Sequence, residues 1–239
     1  MSPGLAGGQL PLGISLPLET RLEDFVPGPN GDALAACSAL ADGDLAGCLF
    51  LAGPPATGKT HLLQGLCRQA HANGQASAYL PLDREALRAP ELLDGWADFD
   101  LVCIDGLEPV AGDGDWERAL FSVFEGLREH GGRLAVTAGN LPRGLGLSLP
   151  DLASRLASGP VYQLSLPDDD TLAEVLRQRL ARKGLSLPAE SGRWLLRRTR
   201  RDLHSLMALA DQLDESSLSA KRRLTVPFLR QVLGDPESG

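Results

Sequence analysis

The sequence predicts an α/β domain with a five-stranded parallel sheet flanked by helices, followed by a small all-helical domain at the C-terminal side. Three observations predict it. Short apolar runs at 48–52 and 101–104 lack the polar alternation of a half-exposed strand, as strands buried on both faces should. Between such runs lie segments whose apolar residues recur at helical spacing, such as Leu62, Leu63, Leu66, Cys67 and Ala70. After Pro167 the strand signal stops and only helical patterning continues.

Composition limits the function classes. The chain has 239 residues and is 43% apolar, enough for one large domain or a medium and a small one. No run of about eighteen apolar residues occurs, so no membrane span or membrane partner is expected. No basic segment precedes an apolar one at the start, so a cytoplasmic location is expected rather than a secreted one. Cys37, Cys48, Cys67 and Cys103 lack metal-type spacing and read as reduced, buried thiols. The net charge is −8, carried as −10 over residues 1–166 and +2 over 167–239. An acidic body argues against tight, autonomous binding to duplex DNA.

Residues 1–18 read as a flexible tail. Within it Gln9, Leu10, Leu12 and Ile14 form a short apolar, proline-punctuated peptide. It reads either as a pocket ligand or as an edge strand or a cap on the body. Residues 19–166 read as the α/β domain. A turn at 27–31 leads into a helix over 32–40, and then comes the first strand at 48–52. Gly53-Pro54-Pro55-Ala56-Thr57-Gly58-Lys59-Thr60 follows it and opens a helix over 60–70. This is the G-x-x-x-x-G-K-[ST] phosphate-binding loop in its required context of strand, loop and helix. The glycines let backbone N–H groups approach a polyphosphate, Lys59 brings a point charge, and the Thr60 hydroxyl suits Mg²⁺.

A second strand is predicted at 76–80, then a short helix and loop over 81–99. The third strand, 101–105, ends in Asp105, whose carboxylate would orient Mg²⁺ through water at the sheet edge. The next residue is Gly106, and the next acid is Glu108. Without an acid directly after Asp105, hydrolysis by this site is expected to be slow. A helix over 115–130 stops at Gly131-Gly132, with Trp116 and Phe124 on its core face. The fourth strand, 133–137, runs into Asn140, read either as a phosphate sensor or as a turn residue. A short helix over 149–156 carries Arg155, which reads either as the partner of a nearby acid or as a functional cation. The fifth strand is predicted at 161–166. Residues 167–239 then give helices over 171–183, 188–198, 201–213 and 226–233, with no strand.

A phosphate-loop α/β body with a small helical lid resembles the AAA+ ATPases. Within them the chain is similar to the replication-initiator clade around DnaA, and it closely resembles the Hda family of DnaA-homologous regulatory inactivators. The segments that carry the likeness are QLPLGI, LPLETRLEDFVPG, YLPLD, LLDG, LVCIDGLE, LPDLASRL, LADQLD and LTVPFLRQVL, between about residues 9 and 234. The resemblance implies that Gln9, Leu10, Leu12 and Ile14 bind the β sliding clamp of DNA polymerase III. It implies that Phe25, Val26 and Asn30 hold adenine and ribose. It implies that Gly53 to Thr60, with His61, Asp105 and the lid residue Arg201, hold ADP or ATP with Mg²⁺.

Arg155 matches the arginine finger of the clade. The resemblance therefore implies a negative regulator that docks on DNA-loaded clamp and stimulates hydrolysis of ATP bound to DnaA. An arginine supplied in trans is worth roughly three to five orders of magnitude in rate. Homo-oligomers are a further partner class the resemblance allows. Initiators proper carry a C-terminal helix-turn-helix domain, and this chain stops before one. The competing expectation is an autonomous AAA+ ATPase, such as a helicase loader or truncated initiator.

Overall fold

The computed structural model describes residues 20–83, 89–198, 203–216 and 223–233. Five parallel strands, β1 (Cys48–Ala52), β2 (Ser77–Pro81), β3 (Leu101–Asp105), β4 (Arg133–Ala138) and β5 (Val161–Gln163), form one sheet in the order β2-β3-β4-β1-β5. The helices are α1 (Gly31–Asp42), α2 (Lys59–Ala72), α3 (Gly114–His130), α4 (Pro150–Leu156), α5 (Asp169–Arg182), α6 (Ala189–Arg198), α7 (Leu203–Ser216) and α8 (Val226–Leu233). None of the described helices is long and apolar enough to cross a membrane.

The period-two alternation of strands sorts the side chains into two layers. Phe50, Leu80, Val102, Ile104 and Val136 join Trp116, Leu120, Val123 and Phe124 of α3 and Leu152 of α4 in one buried cluster. The opposite parity, including Leu51, Tyr79, Cys103, Asp105 and Thr137, faces the other side, where α2 packs along β2, β3 and β4. Every residue of β1, β3 and β4 is buried, which is why their sequences do not alternate.

Helix ends follow local chemistry. Asp113 caps α3 by accepting from the N–H groups of Asp115 and Trp116, and Gly131 ends that helix at φ +76°. The strand β5 ends at Gln163, short of the expected 166. The reason is that the Asn30 side chain takes both backbone groups of Ser165, donating to its carbonyl at 2.9 Å and accepting from its N–H at 2.8 Å. Pro167 then has no N–H to offer a ladder.

The chain divides into two compact units. The first holds the described residues up to Glu23 and then Gly31–Leu164; the second holds Asp24–Asn30 and the chain from Ser165 onward. The second unit has its own core, in which Leu172, Leu176 and Leu180 of α5 meet Leu195 of α6, Leu206 and Leu213 of α7 and Leu229 of α8. Asp24 pairs with Arg182 at 2.6 Å, so the segment before α1 is fastened to α5. Gly28 lies so close to α5 that a Cβ there would stand 2.4 Å from Thr171 Oγ1. The one β element is an isolated bridge between Ser186 and Arg223 among the described residues of this unit.

Candidate functional site

The loop between β1 and α2 is shaped by contacts that leave no room for side chains. A Cβ at Gly53 would lie 2.9 Å from the Leu164 carbonyl oxygen. Gly58 opens α2 at φ +93°, and Ala56 is a non-glycine residue held at φ +67°. Thr57 donates from its hydroxyl to the Pro54 carbonyl at 3.0 Å. The Lys59 ammonium closes the loop on itself, donating to the carbonyls of Gly53 at 2.5 Å and Pro54 at 2.9 Å. No side chain caps the start of α2, so its first-turn N–H groups face outward from the loop as donors. Thr60, in that first turn, is exposed. His61 meets the Arg21 carbonyl at 2.9 Å and so fastens the incoming chain to α2.

Asp105, at the C-terminal end of β3, is buried and held from both neighbouring strands. Tyr79 of β2 donates to Oδ2 at 2.8 Å, and Thr137 of β4 donates to Oδ1 at 2.5 Å. Burial, and then the charge of Asp105, push the Tyr79 hydroxyl well above the ordinary phenol range, so it stays a donor. Gln64 of α2 donates to the same hydroxyl at 3.2 Å, and its carbonyl accepts from Thr20. A hydrogen-bonded line thus runs from residue 20 to the carboxylate. Each Asp105 oxygen keeps acceptor capacity beyond its one hydroxyl.

The turn after β3 brings in a second acid. The Gly106 N–H donates to Thr137 Oγ1 at 2.8 Å, and the Leu107 N–H donates to the Thr137 carbonyl at 3.0 Å. With this turn pinned to β4, Glu108 at the head of a 3-10 turn reaches across, and its Oε1 accepts from the Gly139 N–H beyond the end of β4. Burial pulls the Lys59 ammonium below its ordinary range, while the charges of Glu108 and then Asp105 draw it back up. Lysine and both acids therefore share one electrostatic neighbourhood.

Residues 168–233, most of the second unit, match the family model "Hda, lid domain". Domain III of the replication initiation protein DnaA from Thermotoga maritima is similar at TM-score 0.77 and 23% identity, over 92% of this chain and 97% of that one. AMPPCP-bound DnaA from Aquifex aeolicus is similar at TM-score 0.71 and 24% identity, over 84% of this chain and 67% of that one. The chain thus has the fold of DnaA domain III, and its residues 168–233 are similar to the Hda lid. A DNA replication initiation factor matches at TM-score 0.70 and 23% identity, over 82% of this chain; the chain spans 64% of that protein's length.

The residues predicted from the sequence to bind nucleotide or clamp fall into three groups. Gly53 to Thr60, His61 and Asp105 come together at the C-terminal edge of the sheet, as described. Phe25, Val26 and Asn30 belong to the second unit, where the two apolar side chains are half-buried and Asn30 is spent on Ser165. Gln9, Leu10, Leu12, Ile14 and Arg201 lie outside the described residues. Asn140 is exposed just past β4.

Arg155 lies near the end of α4, and its Nε stands 2.8 Å from Glu125 Oε1 of α3. Its side chain nevertheless remains 40% exposed. Glu125 Oε1 is buried without an aligned hydrogen bond, so this is a tether by charge rather than a directed bond. Both readings of Arg155 given by the sequence are therefore compatible with one side chain: it pairs internally and still presents itself to solvent. Glu125 also takes Arg128 Nη2 on its other oxygen, at 2.5 Å.

Sequence reading missed Tyr79, Thr137 and Glu125, and it treated Glu108 as out of place. Parity was the available signal for the first two. Residues 79 and 137 stand on neighbouring strands with the same face as Asp105, but using that requires the pairing register of β2, β3 and β4. Glu125 gave no signal, because an acid on a helix surface is ordinary.

Proposed function

We propose that this chain is a DnaA-related regulator of replication initiation that binds an adenine nucleotide and acts on a partner AAA+ protein. The observation that carries the reading is the Hda lid match over residues 168–233, joined to a DnaA-like AAA+ fold. The adenine preference is supported by the AMPPCP-bound relative.

The residues present fit a nucleotide with its metal. The first turn of α2 offers uncapped N–H groups to phosphate oxygens, and Lys59 exchanges its own loop carbonyls for them. Thr60 and Asp105 would supply oxygen donors for Mg²⁺. When bound, the metal supplies neutralisation of phosphate charge. Tyr79 and Thr137 hold the Asp105 carboxylate in a single orientation, so this carboxylate need not be reordered when the ligand arrives.

In this proposal Gln9, Leu10, Leu12 and Ile14 dock on the DNA-loaded sliding clamp. An ATP-carrying DnaA then packs alongside, and Arg155 leaves Glu125 to enter the DnaA nucleotide site. There its guanidinium offsets charge growing on the transferred phosphoryl group. The initiator is left with ADP, which blocks re-initiation.

The test is ATP turnover by purified DnaA, with and without this protein and clamp loaded on DNA. Stimulation that depends on both is expected. Arg155→Ala should keep nucleotide and clamp binding while losing stimulation, by roughly a thousandfold or more for a full arginine finger. Stimulation unchanged in that variant would remove Arg155 from the role.

A further inference from the structure

We infer that the exposed face of α6, with Arg223 beside it, is a docking surface for the phosphate backbone of duplex nucleic acid. The inference stands on the helical unit alone. It does not rest on nucleotide binding, on clamp docking or on Arg155.

Its starting point is the way charge is sorted within that unit. Ion pairs gather on α5 and its cap Lys183. Arg177 meets Glu174 at 2.5 Å, Arg179 meets Asp211 at 3.4 Å, Arg182 meets Asp24 at 2.6 Å and Lys183 meets Asp214 at 2.8 Å. The cations on that side are neutralised in place. α6 is built differently. Its exposed residues are Ala189, Glu190, Arg193, Arg197 and Arg198, so arginines outnumber the single acid. Arg193 and Arg197 take part in no ion pair among the described residues.

Spacing turns these charges into a row. Arg193 and Arg197 stand one helical turn apart, about 6 Å, on the same side of α6. Glu190 lies before them, so only the start of the row is diluted by an acid. The bridge between Ser186 and Arg223, in which the Leu224 N–H donates to the Ser186 carbonyl at 2.8 Å, pins exposed Arg223 beside the approach to α6. Arg223 likewise has no ion pair among the described residues. α8, which packs against α6, adds exposed Arg230 and no acid.

What the face lacks selects the partner. Trp194, Leu195 and Leu196 turn inward, into the core they share with Leu229. Trp194 is only 7% exposed, and the Arg198 guanidinium lies over its ring, 4.6 Å from the centroid. The exposed residues of α6 therefore offer no aromatic on which an unpaired base could stack, as single-strand sites do. They leave no apolar stripe to enter a membrane, and no apolar centre for a protein interface. Guanidinium groups remain, and these grip phosphate oxygens two at a time. A duplex carries one charge per about 1.7 Å of its axis, so each arginine of the row finds a phosphate wherever it lands. Such contact carries no base sequence.

The affinity is modest. About three to five phosphates are met, and the chain as a whole carries −8. A Kd of about 10⁻⁵ to 10⁻⁴ M is expected at low salt. Contact of this strength acts where another attachment already keeps the nucleic acid near.

The test titrates full-length protein into a fluorescein-labelled duplex of about 30 base pairs and reads anisotropy between about 50 and 200 mM salt. Parallel titrations use one strand of that duplex, vesicles of equal parts phosphatidylglycerol and phosphatidylcholine, and poly-glutamate. The duplex should bind tighter than the other three probes, and the log of its affinity should fall against log salt with a slope of about −3 to −4. Arg193→Gln, Arg197→Gln and Arg223→Gln combined should weaken duplex binding at least about tenfold at the lowest salt and flatten the slope by about two to three. The same three positions changed to lysine should stay within about threefold of wild type, because a point charge still reaches phosphate. All three side chains are exposed, so the urea midpoint should not move in either variant. A duplex left unbound by about 0.3 mM wild type at the lowest salt overturns the inference. So does a glutamine variant that binds as tightly as wild type, or tighter capture by the single strand, the vesicles or poly-glutamate.

Discussion

Thr137 does two tasks with one hydroxyl, donating to Asp105 and accepting from Gly106. Thr137→Val keeps the shape and removes both, leaving a buried carboxylate oxygen and an N–H short of a partner. A loss of about 1–3 kcal/mol in urea unfolding is expected. Ala56 presents the opposite case. Its left-handed backbone costs about 1–2 kcal/mol for a residue with a Cβ, against about 0.5–1 kcal/mol for the extra chain freedom of glycine. Ala56→Gly should therefore stabilise the fold by up to about 1.5 kcal/mol, read by the same unfolding experiment. Glu125 is shared, with Arg128 on one oxygen and Arg155 near the other. When Arg155 turns outward, Arg128 still neutralises the acid, so the departure leaves no bare charge behind.

At the scale of elements, the start of α4 is set by a single buried side chain on α3. Glu117 accepts from the N–H groups of Gly112 at 2.7 Å, Ser148 at 2.9 Å and Leu149 at 2.6 Å. It ties the head of α3 to the loop that launches the helix bearing Arg155. Glu117→Ala strands three donors, and a loss of at least about 3 kcal/mol is expected in chemical denaturation. The elements themselves were largely legible. β1 and β3 read correctly to the residue because an unbroken apolar run has sharp ends. β5 did not, because its last rungs are taken by Asn30, more than a hundred positions earlier in the chain. The site was half legible. Lys59, Thr60 and Asp105 follow from local motifs, whereas Tyr79, Thr137 and the reach of Glu108 to Gly139 depend on strand pairing that no short window contains.

For the whole molecule, the thiols make a pH signature. Burial pushes Cys37 and Cys48 up to about 12 from an ordinary 9. A thiol raised on folding contributes stability that is complete below pH 9 and is lost as pH climbs toward 12, at about 1.4 kcal/mol per pH unit for each group. Unfolding midpoints should fall over that window, and Cys48→Ala should flatten the fall. The second unit holds one further consequence. Its seven residues from Asp24 to Asn30 are separated from the rest of it by Gly31–Leu164, so most of the first unit is an insertion within the helical unit along the chain path. A ribosome therefore releases the Asn30 end long before Ser165 exists to meet it. The helical unit is the last part to complete, and a fragment begun at residue 165 would leave Arg182 without Asp24 and the Ser165 amide bare, a gap that a short synthetic peptide spanning 24–30 should fill.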